Sequence, residues 1–231
     1  MIPIAILIFL VAVLDWLAVA KGWKKIEYFA KPATMLLLLA FLLGWMALTG
    51  PRSLPLYCFA MGVFFSLVGD VFLLVSYARL SNPWFFLGLA AFLLAHVSYI
   101  LGLNIPLPDV SPFWALVIAL VLALTAARLL RRIVSALYQK GLKRMVAPVT
   151  AYAMVITVML LSAILTLYNP NWGTLAAGLV AMGAVMFYLS DVILAWNRYV
   201  THIRRGRLAN MVLYHLGQFA LVAGVVLQFG L

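Results

Sequence analysis

Cysteine is almost absent from this chain of 231 residues. The single cysteine, Cys58, cannot form an internal disulfide, and its isolation excludes a metal site built from several thiolates. Acidic residues are also scarce, with 5 Asp and Glu against 16 Lys and Arg. Few side chains are therefore available for acid–base chemistry, and the position of each carboxylate is informative.

Charge of either sign is rare, at 9% of the sequence, whereas 68% of the residues are hydrophobic. The mean hydropathy is +1.17, and a soluble domain of this size cannot bury so much apolar surface. A transmembrane barrel would show short alternating strands, but the apolar runs here are long and continuous. Because helices satisfy their own backbone hydrogen bonds in a bilayer, the sequence predicts an all-α polytopic membrane bundle, a single domain over residues 1–231.

The apolar runs predict about eight transmembrane helices. Proline opens several of them, at a position where it costs no helical hydrogen bond. The expected spans are approximately residues 3–20, 31–49, 55–77, 83–103, 112 to 128–132, 146–168, 172–198 and 208–231.

Basic residues collect on one side of these spans, whereas the other side receives only Arg52. By the positive-inside rule the basic side faces the cytoplasm, which would put both termini outside a cell membrane. The net charge of +11 is therefore attributed to topology and to membrane lipid phosphates rather than to nucleic acid. No basic segment precedes the first apolar run, so we expect a first span there rather than a cleaved signal peptide.

Two aspartates lie inside matching apolar stretches. Asp70 follows Gly69 in residues 66–74, and Asp191 follows Ser190 in residues 187–195. An ionisable residue in a membrane helix costs about 2.5–3.5 kcal/mol and usually faces a protein interior or a watery cavity. From the helix rise, both lie about 10–13 Å from the basic end of their spans. The pair predicts a polar pocket open to that side, and a structural hydrogen-bond network between helices is the alternative.

The spacing also indicates an internal repeat. Offsets of about 116 to 121 residues separate three pairs: Lys31 and Ala147, Asp70 and Asp191, and His96 and His215. Four spans separate the members of each pair, so the halves would share one orientation, as two parallel four-helix repeats do. Coincidence in a low-diversity apolar sequence is the alternative.

Further polar residues in the spans are candidates for contacts with a bound molecule. Lys31 is expected to begin a helix, where the dipole disfavours a cation, so a lipid phosphate or an aspartate of the pocket should neutralise it. Snorkelling to the interface is its alternative. His96, about 20 Å inside its span, either lines the far end of the pocket or bonds a neighbouring helix. The other candidates are Tyr99, Tyr152, Ser190, Asn197, Tyr214, His215 and Gln218.

Several of these residues fall in short motifs that together resemble the YhhN-like lysoplasmalogenase family. In order, the motifs are Lys31-Pro32, Gly69-Asp70, Ala95-His96-x-x-Tyr99, Pro148 with Tyr152, Ser190-Asp191-x-x-Leu194-Ala195-x-Asn197, and Tyr214 with Gln218. Each motif is weak alone, but their order and spacing over about residues 31–218 are fairly specific. His215 departs from the family pattern, where an aromatic residue such as tyrosine is commoner, and this weakens an essential role for it.

The resemblance implies an integral membrane hydrolase that needs no cofactor and acts on a lysophospholipid. Family members cleave the vinyl ether bond of lysoplasmalogens to a fatty aldehyde and glycerophospho-ethanolamine or -choline. Two carboxyls suit this reaction, because one can protonate the vinyl carbon while the other stabilises the oxocarbenium ion. We expect Asp70 and Asp191 to share one pocket, with no cation at their depth except a protonated His215, and one of them to hold a proton near neutral pH. The sequence does not say which.

Two other functions would use the same residues. A proton-coupled transporter also needs intramembrane carboxylates and often has repeats. A metal-dependent hydrolase needs clustered ligands, but the sequence contains no HxxxH or HExxH pair, so we expect no metal.

Overall fold

The computed structural model describes residues 2–50, 53–75 and 83–230. Within these ranges the regular elements are helical, and eight helices are long and apolar enough to cross a membrane. The predicted all-α membrane bundle is therefore confirmed. The end of the third predicted span at residues 76–77, the last residue of the eighth span and Arg52 lie outside the described ranges.

Eight long helices follow one another along the chain. They are α1 (Ile2–Lys21), α2 (Lys24–Thr49), α3 (Leu54–Val75), α4 (Pro83–Leu103), α5 (Pro112–Gln139), α6 (Val146–Leu165), α7 (Thr174–Ala195) and α8 (Gly206–Phe229). Short 3-10 turns flank α6 at Lys143–Met145 and Thr166–Tyr168, and a π-helical turn, Trp196–Val200, continues α7.

The predicted start of the second helix at Lys31 is wrong. Helix α2 begins at Lys24, so Lys31 and Pro32 lie inside it. The hydrophilic first turns of α2 are tolerated because Glu27 and Lys31 each form an ion pair with another helix. A proline inside a membrane helix is accommodated when neighbouring groups satisfy the freed carbonyl.

The predicted end of the fifth helix within residues 128–132 is also wrong, since α5 continues to Gln139. Its arginines occupy an exposed face, while Ile133 and Leu137 on the opposite face are buried. These two are the buried side chains of α5, whereas Leu122 is half-buried against the main core, so this helix packs most deeply near its basic end. There it joins a small apolar cluster with Phe85 and Tyr199.

Helices α7 and α8 are closely packed against each other. A Cβ atom added at Gly183 would lie 2.8 Å from the carbonyl oxygen of Gly217, and one at Gly224 would lie 2.8 Å from the carbonyl oxygen of Ala176. Small residues at a membrane helix interface let two backbones approach closely. This seam fixes the relative position of the side chains that α7 and α8 present to the site. The predicted parallel repeat stays a prediction.

Candidate active site

A cavity of about 420 Å³ opens among seven of the helices, and both Asp70 and Asp191 line it. Its walls come from α2 to α8, at the ends of these helices that carry most of the basic residues. The volume lies in the range of small-molecule sites in proteins, about 300–1,000 Å³. The two aspartates therefore border one space, on the side of the bundle expected from the sequence.

The carboxyl of Asp70 is held by two partners. Its Oδ1 lies 3.0 Å from Nζ of Lys31, and its Oδ2 accepts a hydrogen bond of 2.8 Å from the hydroxyl of Tyr214. Only 1% of the Asp70 side chain is exposed. Lys31 therefore compensates the negative charge of Asp70, and both carboxyl oxygens already have protein partners.

From the sequence we expected no cation near the two aspartates except a protonated His215. Lys31 is such a cation. It lies in the third turn region of α2 and points inward to Asp70, so the unfavourable helix-start position does not exist. Of the two neutralising partners considered for it, the aspartate is the one observed. Lys31 also lines the cavity.

Asp191 has a different environment. Its Oδ2 accepts a hydrogen bond from the hydroxyl of Tyr152 and lies 3.5 Å from Nε2 of His96. The Asp191 side chain is 14% exposed, and no hydrogen bond to its Oδ1 occurs within the described residues. One oxygen of Asp191 is therefore fixed by the protein, and the other is left for the cavity.

His96 lies behind Asp191 rather than in the wall of the cavity. Its Nε2 is 2.9 Å from the Tyr152 hydroxyl, and the ring is fully buried. Since Tyr152 gives its only proton to Asp191, the hydroxyl oxygen must accept from an Nε2–H of His96. His96, Tyr152 and Asp191 thus form a chain of hydrogen bonds across α4, α6 and α7.

Ser190 and Asn197 line the cavity and organise its α7 wall. Asn210 on α8 donates hydrogen bonds of 2.9 Å to both the carbonyl and the hydroxyl oxygen of Ser190. The side-chain oxygen of Asn197 accepts a 2.8 Å bond from the backbone N–H of Ile203 and so shapes the connection to α8.

Besides His96, three more predicted binding residues do not line the cavity: Tyr99, Gln218 and His215. The Tyr99 hydroxyl donates to Oε1 of Gln218 at 2.7 Å, and Nε2 of Gln218 donates to Ser66 at 3.0 Å, which joins α3, α4 and α8. His215 faces α1, where the Trp16 indole N–H donates to its Nδ1 at 3.0 Å. A neutral imidazole accepts this bond, so the expectation of a protonated His215 beside the aspartates is wrong.

Sequence reasoning missed several cavity residues. Nη2 of Arg207 lies 2.6 Å from Oε1 of the buried Glu27, and the guanidinium of Arg198 lies 4.0 Å from the ring centroid of Phe85. Asn210 was missed as well, although it lies one helical turn before Tyr214 on the same face of α8 and a periodicity argument would have found it. The two arginines resembled loop residues because their partners are remote in sequence.

No cluster of three or more His, Cys, Asp and Glu side chains suited to a metal ion occurs within the part of the chain that the structure describes.

Comparison with known proteins identifies relatives over most of the chain. A protein-family model described as the YhhN family matches residues 26–225. A mouse (Mus musculus) protein named lysoplasmalogenase TMEM86B is 31% identical over 166 residues, which cover 72% of this chain and 62% of the mouse protein. The rat (Rattus norvegicus) protein of the same name is 30% identical over 166 residues, covering 72% of this chain and 60% of its own length.

The matched segment thus spans less than two thirds of either mammalian relative. No solved structure matches the chain. The family match, by contrast, extends from α2 into α8 and includes both cavity aspartates. The chain belongs to the YhhN family.

Proposed function

We propose that this chain is a lysoplasmalogenase-like membrane hydrolase. It would cleave the vinyl ether bond of a lysoplasmalogen and release a fatty aldehyde and glycerophospho-ethanolamine or -choline. The observation that carries the proposal is the shared cavity of Asp70 and Asp191, in a chain whose relatives are named lysoplasmalogenase.

Asp191 is the proposed general acid. Tyr152 occupies one of its oxygens, so a proton on the other oxygen would face the cavity. This proton would pass to the β-carbon of the vinyl ether, where the π electrons form the new C–H bond. A lone pair of the ether oxygen then yields the oxocarbenium ion. Proton transfer by a positioned side chain typically contributes about 10²–10⁴-fold to rate.

Asp70 is the proposed anionic stabiliser of that cation. Its two oxygens are engaged by Lys31 and Tyr214, an arrangement that favours a fixed negative charge over proton exchange. A preorganised charge aimed at a developing opposite charge lowers the barrier in a site that excludes bulk water.

Water completes the reaction. It would add to the oxocarbenium carbon while the ionised Asp191 takes one of its protons, which restores the acid. The resulting hemiacetal collapses by transferring its hydroxyl proton to the glycerol oxygen as the C–O bond breaks. Aldehyde and alcohol are the products, and the net reaction consumes one water.

Arg198 and Arg207 are the proposed contacts for the phosphate of the substrate. Both line the cavity, and 42% of the Arg207 side chain is exposed. Guanidinium groups match phosphate geometry through paired N–H donors. The apolar α5 wall, with Leu129, Leu130 and Ile133, would accept the hydrocarbon chain.

Aldehyde release from a defined lipid tests this proposal. Purified protein is incubated with a lysoplasmalogen, and the aldehyde is measured by mass spectrometry. We expect turnover, no aldehyde from the matching alkyl ether, whose saturated carbon cannot be protonated in this way, and loss of turnover in Asp191→Asn. Equal release by wild type and Asp191→Asn would contradict the mechanism, and lipid-dependent flux in proteoliposomes without product would instead indicate a transporter.

We also propose that the basic side faces the cytoplasm and that both termini lie outside, in the cell membrane. In a Cys58→Ser background, single cysteines in the loops around Arg52 and Arg205 should label from opposite sides of intact cells. Labelling from the same side would refute the alternating order of the spans.

A further inference from the structure

Asp15 is a buried carboxyl without a hydrogen bond. It lies on α1, its side chain has no exposed surface, and neither oxygen has a hydrogen-bond partner within the described residues. It does not line the cavity, and it precedes the residues that the family model matches. Buried polar groups are nearly always paired, because an unpaired one loses its hydration without compensation. Asp15 therefore needs an explanation that the proposed reaction does not supply.

The packing of α1 brings Asp15 to the depth of the Lys31–Asp70 pair. Asp15 lies six residues before the end of α1, and Lys31 lies seven residues after the start of α2, the next helix in the chain. These separations correspond to about 9–11 Å from the same end of the bundle. The hydrogen bond from Trp16 to His215 fixes the rotation of α1 against α8.

Around Asp15 the carboxyls, with Asp15 included, outnumber the cations. On α2 they are Glu27 and Lys31, on α3 Asp70, and on α8 Arg207, and the strongest of these charge interactions is the attraction to Lys31. Glu27 is paired with Arg207 at 2.6 Å, and Asp70 with Lys31 at 3.0 Å. Asp15 is the carboxyl left over.

Lys31 has the capacity to bind a second carboxyl. An ammonium group carries three donors, and Asp70 is its one ion-pair partner within the described residues. The unmatched carboxyl and the under-used ammonium are thus at one depth and attract each other.

We infer that Asp15 is a positioning residue of the site, a second carboxyl that shares the Lys31 ammonium with Asp70 while Asp70 keeps its place in the cavity wall. The inference rests on the proposed function only for the role of Asp70. A shared lysine neutralises less of the Asp70 charge, so more of that charge acts on the oxocarbenium ion, and Lys31 keeps a carboxyl partner. Removing one partner of a buried ion pair is far costlier when nothing replaces it.

A thermal-stability cycle tests the sharing without any measurement of activity. Asp15→Asn and Asp70→Asn are made singly and together, and melting temperatures are measured in one detergent. Each single variant should melt only slightly lower, because the remaining carboxyl can compensate the charge of Lys31. The melting temperature of the double variant should drop by at least about 3 °C more than the sum of the two single drops, since Lys31 is then unpaired. An additive double variant would overturn the inference.

The same cycle in a Lys31→Met background separates attraction from repulsion. In this background the melting temperature of the double variant should drop only by the sum of the single drops. A larger drop would come from repulsion between the two carboxyls and would overturn the inference. Asp109→Asn, the same chemical change at an exposed loop aspartate, controls for the substitution itself.

Activity provides the functional test of positioning. Asp15→Asn should lower kcat by about tenfold with KM unchanged, because Asp15 attracts Lys31 and does not line the cavity. A rise in KM alone, or no change in kcat, would refute the positioning role. If wild type itself releases no aldehyde, the proposed function fails, but the stability cycle still decides whether Lys31 is shared.

Discussion

The hydroxyl of Tyr152 should matter more for turnover than for stability. It donates to Oδ2 of Asp191 and accepts from Nε2 of His96 at 2.9 Å, so Tyr152→Phe removes both bonds without changing the ring. A hydrogen bond to a charged group contributes about 1.5–3 kcal/mol. If that bond helps Asp191 pass from acid to carboxylate during the reaction, kcat should fall by about 10- to 150-fold.

Tyr99→Phe is the matched control. It also removes one buried hydroxyl, but this hydroxyl bonds Gln218 at 2.7 Å and lies outside the cavity wall. It should cost about 1 kcal/mol of stability and leave kcat nearly unchanged. Aldehyde release and melting temperature are measured for both variants. Equal losses of kcat, or a larger loss in Tyr99→Phe, would refute the assignment of Tyr152 to the site.

Three further expectations concern the charged residues of the cavity. Asp70→Asn and Asp191→Asn should each remove most turnover while the protein stays folded. The double variant should turn over little more slowly than either single variant, because the two aspartates act as a unit. If the two losses of turnover multiply, the aspartates do not share a step. Lys31→Met should lower kcat more than it raises KM, since its ammonium holds Asp70; a change in KM alone would restore a direct phosphate contact. Arg207→Gln should raise KM with little effect on kcat, whereas Arg131→Gln, on the exposed face of α5, should change neither.

Hydropathy predicted the spans because each helix must satisfy a bilayer by itself. The fourth span was predicted at 83–103 and is observed as Pro83–Leu103. Hydropathy did not predict the start of α2, because the first turns of this helix carry Glu27 and Lys31 and resemble a loop. Their partners, Arg207 and Asp70, lie on other helices, and no local window of sequence reveals such pairing.

Depth along a helix was also predictable, whereas the face of a side chain was not. Asp70, Asp191 and His215 were assigned to one layer, but His215 points to Trp16 on α1 and away from the cavity. Helix rotation depends on packing, which the weak amphipathicity of membrane helices does not encode. Asp15, by contrast, satisfies the same rule that selected the other two aspartates, a carboxylate in an apolar run, and that rule applied to α1 would have found it.

The glycine seam between α7 and α8 has a mechanical consequence for the site. With backbone atoms in contact at Gly183, Gly217 and Gly224, the two helices move as one rigid body, and Asp191, Asn210 and Tyr214 move with it. Helix α5, which also lines the cavity, buries only Ile133 and Leu137, and Leu122 is half-buried against the main core. If the proposed lipid binds here, we expect adjustment to hydrocarbon chains of different length to fall to the more exposed α5, while α7 and α8 keep the proposed reacting groups in register. In the proposed function, tolerance of chain length and accuracy of the chemistry would then depend on different helices and could evolve independently.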